Sequence, residues 1–273
     1  MVSRRQADGG GGGSEVSAPA QAIGMDIGSR TVKLVVWEQG PVETAIADAG
    51  PDPFASARVL LGERTARHIC ATGYGRHLAR ERFADSAVTE ILAAALGARY
   101  FFPDCRTILD VGGQDSKAMA LEAGGHVTQF EMNDRCAAGT GRFLEVMAQR
   151  LGFSMAEFAR VAADEEQTVR INAVCTVFAE TEVVSLLARG EAVAPIARGL
   201  HDAVTDRLAA MVRRVGAQPP LLFCGGVAHN QAVRSLLEKK LGMPVLVPEQ
   251  PQLVPALGAA LVARERSAGA REE

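Results

Sequence analysis

The sequence contains no apolar run that approaches the ~18–20 residues needed for a membrane-spanning helix. Its first 20 residues also lack the apolar core of a secretory signal, and they carry an unbroken glycine run from Gly9 to Gly13. We therefore expect residues 1–20 to form a disordered, Gly-rich tail. We also expect a cytoplasmic protein with no membrane partner.

The sequence has no large excess of charge of either sign. The 273 residues carry a formal net charge of −3 and a pI near 6.0. Nothing in this charge predicts binding to nucleic acid or to an anionic membrane. The chain is 48% hydrophobic and 22% charged, which is typical of a soluble globular protein, and its length allows one large domain or two compact lobes.

The sequence has few cysteines, and they are odd in number and widely spaced: Cys70, Cys105, Cys136, Cys175 and Cys224. This number and spacing, in a cytoplasmic setting, argue against a disulfide framework. Buried thiols are the simplest interpretation, and metal ligands or reactive thiols are the alternatives.

Two familiar phosphate-binding motifs, the Walker sequence and G-x-G-x-x-G, are absent. Instead, an Asp-x-Gly sequence occurs twice at the end of a predicted strand, beginning at Asp26 and at Asp110. A third glycine pair, at 225–226, follows another predicted strand. Repetition at strand ends favours phosphate binding over two unrelated hairpin turns.

In the first loop, Gly28 allows the backbone to approach a phosphate closely, and Ser29 and Thr31 offer hydrogen-bond donors. Lys33 shares a strand face with Thr31 and can place its charge on the same phosphate. The carboxylate of Asp26 would repel phosphate, so we expect it to hold hydrated Mg²⁺.

The second loop has the same chemistry. Asp110 is the expected Mg²⁺ ligand, and Gly112 and Gly113 allow close approach to phosphate. Gln114 or Asp115 could orient the water that attacks the terminal phosphate.

The order of predicted elements indicates an internal duplication, because a strand, a Gly loop and a second strand occur twice, each time followed by helices. The pattern predicts an α/β fold of two similar lobes around one ligand cleft. The first lobe comprises 21–97 and a C-terminal helix at 254–265, and the second comprises 98–253. Predicted strands lie at 22–26, 32–37, 68–71, 107–111, 116–121, 127–131, 221–224 and 244–248, and predicted helices at 54–67, 87–97, 138–151, 155–163, 176–189, 192–214, 229–241 and 254–265.

These three glycine loops resemble those of the actin, Hsp70 and sugar-kinase superfamily of ATPases. The resemblance implies two duplicated actin-like (RNase H-like) lobes around a nucleotide cleft. It also implies that Gly225 and Gly226 form the loop that supports adenosine.

Two segments between the second and third loops are distinctive, and each contains a cysteine. Cys136 lies in the segment 133–145 and Cys175 in the segment 172–182, and we expect both at helix starts, where the helix dipole favours thiolate. Two thiolates cannot complete a four-cysteine iron–sulfur site, whereas a two-fold dimer would supply four. Spacing alone still favours structural thiols.

Together with Asp-Val-Gly-Gly-Gln-Asp-Ser-Lys at 110–117, these segments resemble the activator ATPases of 2-hydroxyacyl-CoA dehydratases and the ATPase subunits of benzoyl-CoA reductase. The resemblance implies a homodimer, or a pseudo-symmetric heterodimer, that shares one [4Fe–4S] cluster through Cys136 and Cys175. ATP hydrolysis would drive a low-potential electron, received from a reductant such as ferredoxin or flavodoxin, into an iron–sulfur dehydratase or reductase.

Two alternatives remain open. A small-molecule kinase of the same superfamily would need an acceptor pocket and no role for Cys136 and Cys175. A non-enzymatic switch protein would use ATP only to change its affinity for a partner. The sequence Thr-Gly-Tyr-Gly-Arg at 72–76 also recurs in the family, and a turn between strand and helix explains it equally well.

Overall fold

The computed structural model describes residues 20–172 and 175–269. The predicted tail therefore lies outside the described residues, apart from Ala20. No helix in the described part of the chain is long and apolar enough to cross a membrane. The described residues form two compact units. The first comprises the chain up to Ala93 together with the chain from Pro255 onward, and the second runs from Ala94 to Val254.

The first unit is built on a five-stranded sheet with the strand order β3-β2-β1-β4-β5. Its strands are β1 (Ala22–Ile27), β2 (Thr31–Trp37), β3 (Pro41–Asp48), β4 (Ile69–Thr72) and β5 (Ser86–Ala87). Its helices are α1 (Pro53–Leu61), α2 (Arg76–Arg82), the beginning of α3 (Glu90–Phe101) and nearly all of α9 (Val254–Gly269).

The second unit has a sheet with the order β10-β9-β6-β7-β8. Its strands are β6 (Thr107–Val111), β7 (Ser116–Leu121), β8 (Val127–Asn133), β9 (Leu221–Cys224) and β10 (Val245–Leu246). Besides the end of α3, its helices are α4 (Gly141–Arg150), α5 (Met155–Asp164), α6 (Thr176–Ala188), α7 (Val193–Arg214) and α8 (Gln231–Leu241).

The two sheets have the same topology. In each, the first strand pairs antiparallel with the second and parallel with the fourth, the second pairs antiparallel with the third, and the fourth pairs parallel with the fifth. The counterparts are therefore β1 and β6, β2 and β7, and so on to β5 and β10. The duplication that the sequence pattern predicts is confirmed.

The central strands have apolar residues on both faces and are buried along their whole length, as β1 and β6 illustrate. In the second unit, the main core cluster includes Leu109, Phe143, Phe158, Leu208 and Phe223. This core joins the sheet to the helices inserted between β8 and β9, so the segments that contain the cysteines rest on the strands that end in the glycine loops.

The predicted helix at 54–67 is too long. It ends at Leu61 because Gly62 adopts a positive φ of 57°, from which its N–H bonds to the carbonyl of Arg58. The predicted strand at 244–248 reduces to Val245–Leu246. The structure also adds β3, β5 and α2, which the periodicity does not indicate.

The helix predicted to begin near residue 138 begins at Gly141 instead. Gly139 has a φ of 88°, which a continuous right-handed helix cannot contain. Cys136 consequently lies in a loop, and its predicted position at a helix start is wrong. Cys175 does stand at a helix start, as the N-cap of α6.

The first unit depends on a close contact between β1 and α9. A methyl group added at Gly24 would lie 2.2 Å from the carbonyl oxygen of Ala256 and 2.2 Å from the nitrogen of Ala260. We predict that Gly24→Ala lowers the free energy of unfolding by about 1–3 kcal/mol through overpacking, measured by urea denaturation. Gly40→Ala is the control, because its methyl would meet no atom within 4 Å; equal stability of the two variants would contradict this packing.

Candidate functional site

The two Asp-containing loops are built alike. The first loop runs from Gly28 to Thr31 and the second from Gly112 to Asp115, and each joins the first two strands of its sheet. In each loop the N–H of the first residue donates to the carbonyl of the last residue. The distance is 3.2 Å from Gly28 to Thr31 and 2.9 Å from Gly112 to Asp115. The same backbone hydrogen bond therefore closes both loops.

Each loop has an acid and a lysine at paired positions. Asp26 lies opposite Lys33 and Asp110 opposite Lys117, and the two acids are 6% and 7% exposed. Lys33 Nζ donates to Asp26 Oδ2 at 2.7 Å, and Lys117 Nζ lies 2.8 Å from Asp115 Oδ2. In the second loop, therefore, the lysine pairs with a further carboxylate, that of Asp115 at the end of the loop.

The remaining predicted residues of the two loops differ in exposure. Ser29, Thr31 and Gly113 are half-buried, and Gln114 is exposed at the tip of its loop. Arg30 is exposed at the corresponding position of the first loop. Of the two candidates for orienting water, Gln114 thus has the more accessible side chain and Asp115 the ion-paired one.

The third glycine turn is packed against the second loop. Gly225 is buried with a φ of 83°, and a Cβ there would lie 2.6 Å from Asp110 Oδ1 and 2.3 Å from the carbonyl oxygen of Val111. Only glycine allows this approach. Gly226 is exposed beside it.

The loop that contains Cys136 is held by one side chain. Asn133, the last residue of β8, donates from Nδ2 to the carbonyl of Cys136 at 2.9 Å and to that of Ala138 at 3.0 Å. Two bonds from one amide fix the path of the loop at its cysteine.

The far end of this loop is bonded directly to the second phosphate loop. The N–H of Gly141 donates to the carbonyl of Gly112 at 2.9 Å, and that of Arg142 to the carbonyl of Gly113 at 2.8 Å. A Cβ at Gly141 would also lie 3.3 Å from a methyl of Val227, next to the third glycine turn. The start of α4 therefore contacts two of the three predicted nucleotide loops.

The five thiols fall into two groups. Burial raises the pKa of Cys70, raises that of Cys105 to about 11 and raises that of Cys224 well above its ordinary range. These three thiols are therefore protonated near neutral pH and are poor metal ligands. Cys136 is half-buried and Cys175 is exposed, so both are accessible.

The two accessible cysteines belong to segments that line one cavity of ≈ 860 Å³ in the second unit. Its wall includes Ala138 and Gly139, just after Cys136, and residues 168–172, shortly before Cys175. Residues that follow Cys136 and residues that precede Cys175 therefore line one cavity, whose lining includes neither cysteine. Residues 173 and 174 of the predicted cysteine segment lie outside the described residues.

Within residues 20–172 and 175–269, no group of three or more His, Cys, Asp or Glu side chains is arranged to hold a metal ion. In the same described ranges, the buried hydroxyl of Thr176, adjacent to Cys175, has no hydrogen-bond partner.

A buried histidine missed by the sequence analysis supports the third turn. Fully buried His201 on α7 accepts at Nε2 from Asn230 Nδ2 at 3.0 Å, which leaves its Nδ1 to donate to the carbonyl of Ala197 at 2.8 Å. Asn230 caps α8 by accepting from the N–H of Val233. The position of Asn230 between a glycine turn and a helix is the only sequence signal for the pair of Asn230 and His201.

A family model for the BadF/BadG/BcrA/BcrD ATPases matches residues 23–263. The chain belongs to this ATPase family. The predicted resemblance is thus confirmed. The (R)-2-hydroxyglutaryl-CoA dehydratase activating ATPase of Acidaminococcus fermentans is 37% identical over 256 residues, which are 90% of this chain and 98% of that relative.

Two further similarities agree with this membership. The solved activator of the 2-hydroxyisocaproyl-CoA dehydratase from Clostridium difficile, with bound ADPNP, has a TM-score of 0.83 and 34% identity, covering 92% of this chain and 97% of that one. One of the subunits of benzoyl-CoA reductase from Thauera aromatica is 29% identical over 259 residues, 87% of this chain and 91% of that relative. The predicted actin-like fold of this ATPase is confirmed.

The buried histidine makes the stability of this ATPase depend on pH. Burial lowers the pKa of His201 to about 4 from an ordinary 6.5, although the bond to Ala197 opposes the shift. As the pH falls from 6.5 to 4, the unfolded chain binds a proton that the folded chain does not. We predict that His201 contributes a loss of about 3 kcal/mol in unfolding free energy between pH 7 and pH 4.

Urea denaturation across this pH range measures the effect. His201→Gln has no titratable ring, so its stability is expected to fall less steeply with acid than that of the unaltered protein. Identical pH slopes for the two proteins would show that His201 is not the group responsible.

Proposed function

We propose that this ATPase hydrolyses ATP to drive a low-potential electron into a 2-hydroxyacyl-CoA dehydratase or a benzoyl-CoA reductase-type partner. The electron would pass through a [4Fe–4S] cluster that two chains share. One observation carries the proposal: the loop that contains Cys136 is hydrogen-bonded through Gly141 and Arg142 to the second phosphate loop. The segment that contains Cys136 and the second phosphate loop are therefore connected by backbone hydrogen bonds.

In this proposal the two Asp loops bind the phosphates of ATP. Gly28, Ser29 and Thr31 of the first loop, and Gly112 and Gly113 of the second, supply close backbone and hydroxyl contacts. Lys33 adds positive charge, and its pairing with Asp26 keeps both side chains at the loop.

The carboxylates of Asp26 and Asp110 hold hydrated Mg²⁺, whose oxygen ligands they match. Gln114, or Asp115 held by Lys117, orients the attacking water. Gly225 and Gly226 support adenosine. The relative of known structure binds ADPNP, an ATP analogue, which supports the nucleotide assignment.

The cysteines fit a shared iron–sulfur cluster by their chemistry. Cys136 and Cys175 are accessible, and residues next to Cys136 and shortly before Cys175 line one cavity, whereas the other three thiols are buried and protonated. Such a cluster supplies one-electron transfer at low potential. Two thiols from each chain would complete its ligand set, which makes the protein a dimer, either of identical chains or of two similar ones.

The coupling follows from these contacts. When phosphates bind, any shift of Gly112 and Gly113 acts on the backbone at the start of α4, and Asn133 fixes the cysteine end of the same loop. ATP can bias the position of Cys136 only by binding two arrangements of this loop unequally. The reductant is a low-potential carrier such as ferredoxin or flavodoxin.

The alternatives make different use of the same fold. A kinase would bind a phosphoryl acceptor and leave Cys136 and Cys175 without a role, and a switch protein would bind ATP without electron transfer. The match to activators of dehydratases and to a component of benzoyl-CoA reductase favours the electron-transfer proposal over both.

Iron content tests the cluster. We predict that the protein purified anaerobically is brown and contains about four irons and four labile sulfides per dimer. Cys136→Ala and Cys175→Ala should each lose the cluster while ATP binding stays largely intact. Cys105→Ala is the matched control, because its thiol is buried and protonated, and it should keep the iron.

Two outcomes would contradict the proposal. Iron-free protein after anaerobic reconstitution would remove electron transfer and favour the kinase or the switch. A normal cluster in Cys136→Ala would overturn the ligand assignment alone.

A further inference from the structure

The segment 72–76 has a structural counterpart in the other unit. It follows β4, just as the third glycine turn follows β9, and β4 and β9 are equivalent strands. The residue before each turn pairs with the acid of the neighbouring phosphate loop: Thr72 with Asp26, and Cys224 with Asp110. The sequence Thr-Gly-Tyr-Gly-Arg therefore occupies in the first unit the place of the predicted adenosine turn in the second.

The equivalence extends to atomic contacts. Gly73 has a φ of 86° and Gly225 a φ of 83°. A Cβ at Gly73 would lie 2.5 Å from the carbonyl oxygen of Ile27 and 2.6 Å from Asp26 Oδ1. A Cβ at Gly225 would likewise lie 2.3 Å from the carbonyl oxygen of Val111 and 2.6 Å from Asp110 Oδ1. These distances are shorter than real carbon–oxygen contacts, so any side chain at either position must displace both the acid and the carbonyl at the end of its strand.

Further contacts hold the first of these turns in place. The N–H of Gly75 donates to the carbonyl of Ile27 at 3.0 Å, which fastens the turn to the end of β1. Arg76 Nη1 donates to the carbonyl of Gly73 at 3.0 Å and lies 3.8 Å from Glu90 Oε1 on α3. A simple connection between strand and helix does not need a charged side chain anchored in this way.

We propose that the segment 72–76 is a fourth loop of the nucleotide site, and that Gly73 is a positioning residue for the carboxylate of Asp26. The ligand whose binding it controls is the hydrated divalent cation of Mg-ATP. Arg76 fixes the carbonyl of Gly73 and so keeps the turn against the acid. This inference rests on the proposed role of Asp26 as a Mg²⁺ ligand.

Calorimetric titration of the purified full-length protein with Mg-ATP, and with ATP in EDTA, tests the inference. Gly73→Ala should weaken Mg-ATP binding by about 10- to 100-fold, as expected when a residue that positions a metal ligand is altered, and change metal-free ATP binding by less than about twofold. If the role of Gly73 were purely structural, Gly73→Ala would weaken the binding of Mg-ATP and of metal-free ATP to the same extent.

Gly50→Ala is the matched control. Gly50 also has a positive φ, of 60°, but its added Cβ would be no closer than 3.8 Å to its nearest neighbour, Ser56 Oγ. It shares the backbone strain without touching Asp26, so both affinities should stay near those of the unaltered protein.

The outcomes separate the inference from the proposed function. If the unaltered protein binds no Mg-ATP, the proposed function fails and the inference fails with it. If that protein binds Mg-ATP and Gly73→Ala has the same affinities as Gly50→Ala, the inference alone is overturned.

A second variant decides the matter if Gly73→Ala does not fold. Arg76→Lys keeps the positive charge near Glu90 but lacks the planar fork that reaches the carbonyl of Gly73. It should weaken Mg-ATP binding by about fivefold, as the loss of one hydrogen bond would, and spare metal-free ATP. Unchanged affinity for Mg-ATP in this variant would overturn the inference.

Discussion

Two backbone hydrogen bonds, from Gly141 to Gly112 and from Arg142 to Gly113, join the start of α4 to the second phosphate loop. Because both partners are main-chain groups, this connection needs no flexible side chain to transmit a displacement. The turn at Gly225 packs against the acid of the same loop, and the loop that contains Cys136 ends where these bonds begin. The proposed coupling of nucleotide to thiol depends on this junction.

The two units share a topology but differ in the side chains of their loops and in the position of the accessible cysteines. Each unit places a buried acid opposite a lysine. In the second unit this lysine, Lys117, also pairs with Asp115, and the first loop has Thr31 at the position of Asp115. The second unit also contains the helices α4 to α7 between β8 and β9, and with them both accessible cysteines. The frame of strands and a glycine loop is thus present twice, and the proposed electron-transfer element belongs to one copy.

Most of the fold could be predicted from the sequence because its signals are local. Buried strands that end in Asp-x-Gly define both hairpins, and the local sequence Ser-x-x-Glu at 154–157 forms a capping box at the start of α5. The strand β3 could not be predicted because it is largely exposed and lacks a clear apolar alternation. The start of α4 differs from the prediction because the positive φ of Gly139 cannot be read from composition.

The site was less predictable because its decisive contacts join residues far apart in sequence. Asp-containing loops and accessible cysteines follow from motifs, but nothing local to Gly73 shows that it touches Asp26. The pair of His201 and Asn230 likewise depends on how α7 packs against α8.

Coupling between nucleotide and cluster is tested most directly by electron paramagnetic resonance of the reduced, anaerobically prepared protein, with and without saturating Mg-ATP. Mg-ATP is predicted to shift the spectrum, because the loop of Cys136 leads into the start of α4, which is hydrogen-bonded to the loop proposed to bind phosphate. Asp110→Asn, which weakens the Mg²⁺ site, should reduce that shift. A spectrum of the unaltered protein that Mg-ATP leaves unchanged would contradict the coupling.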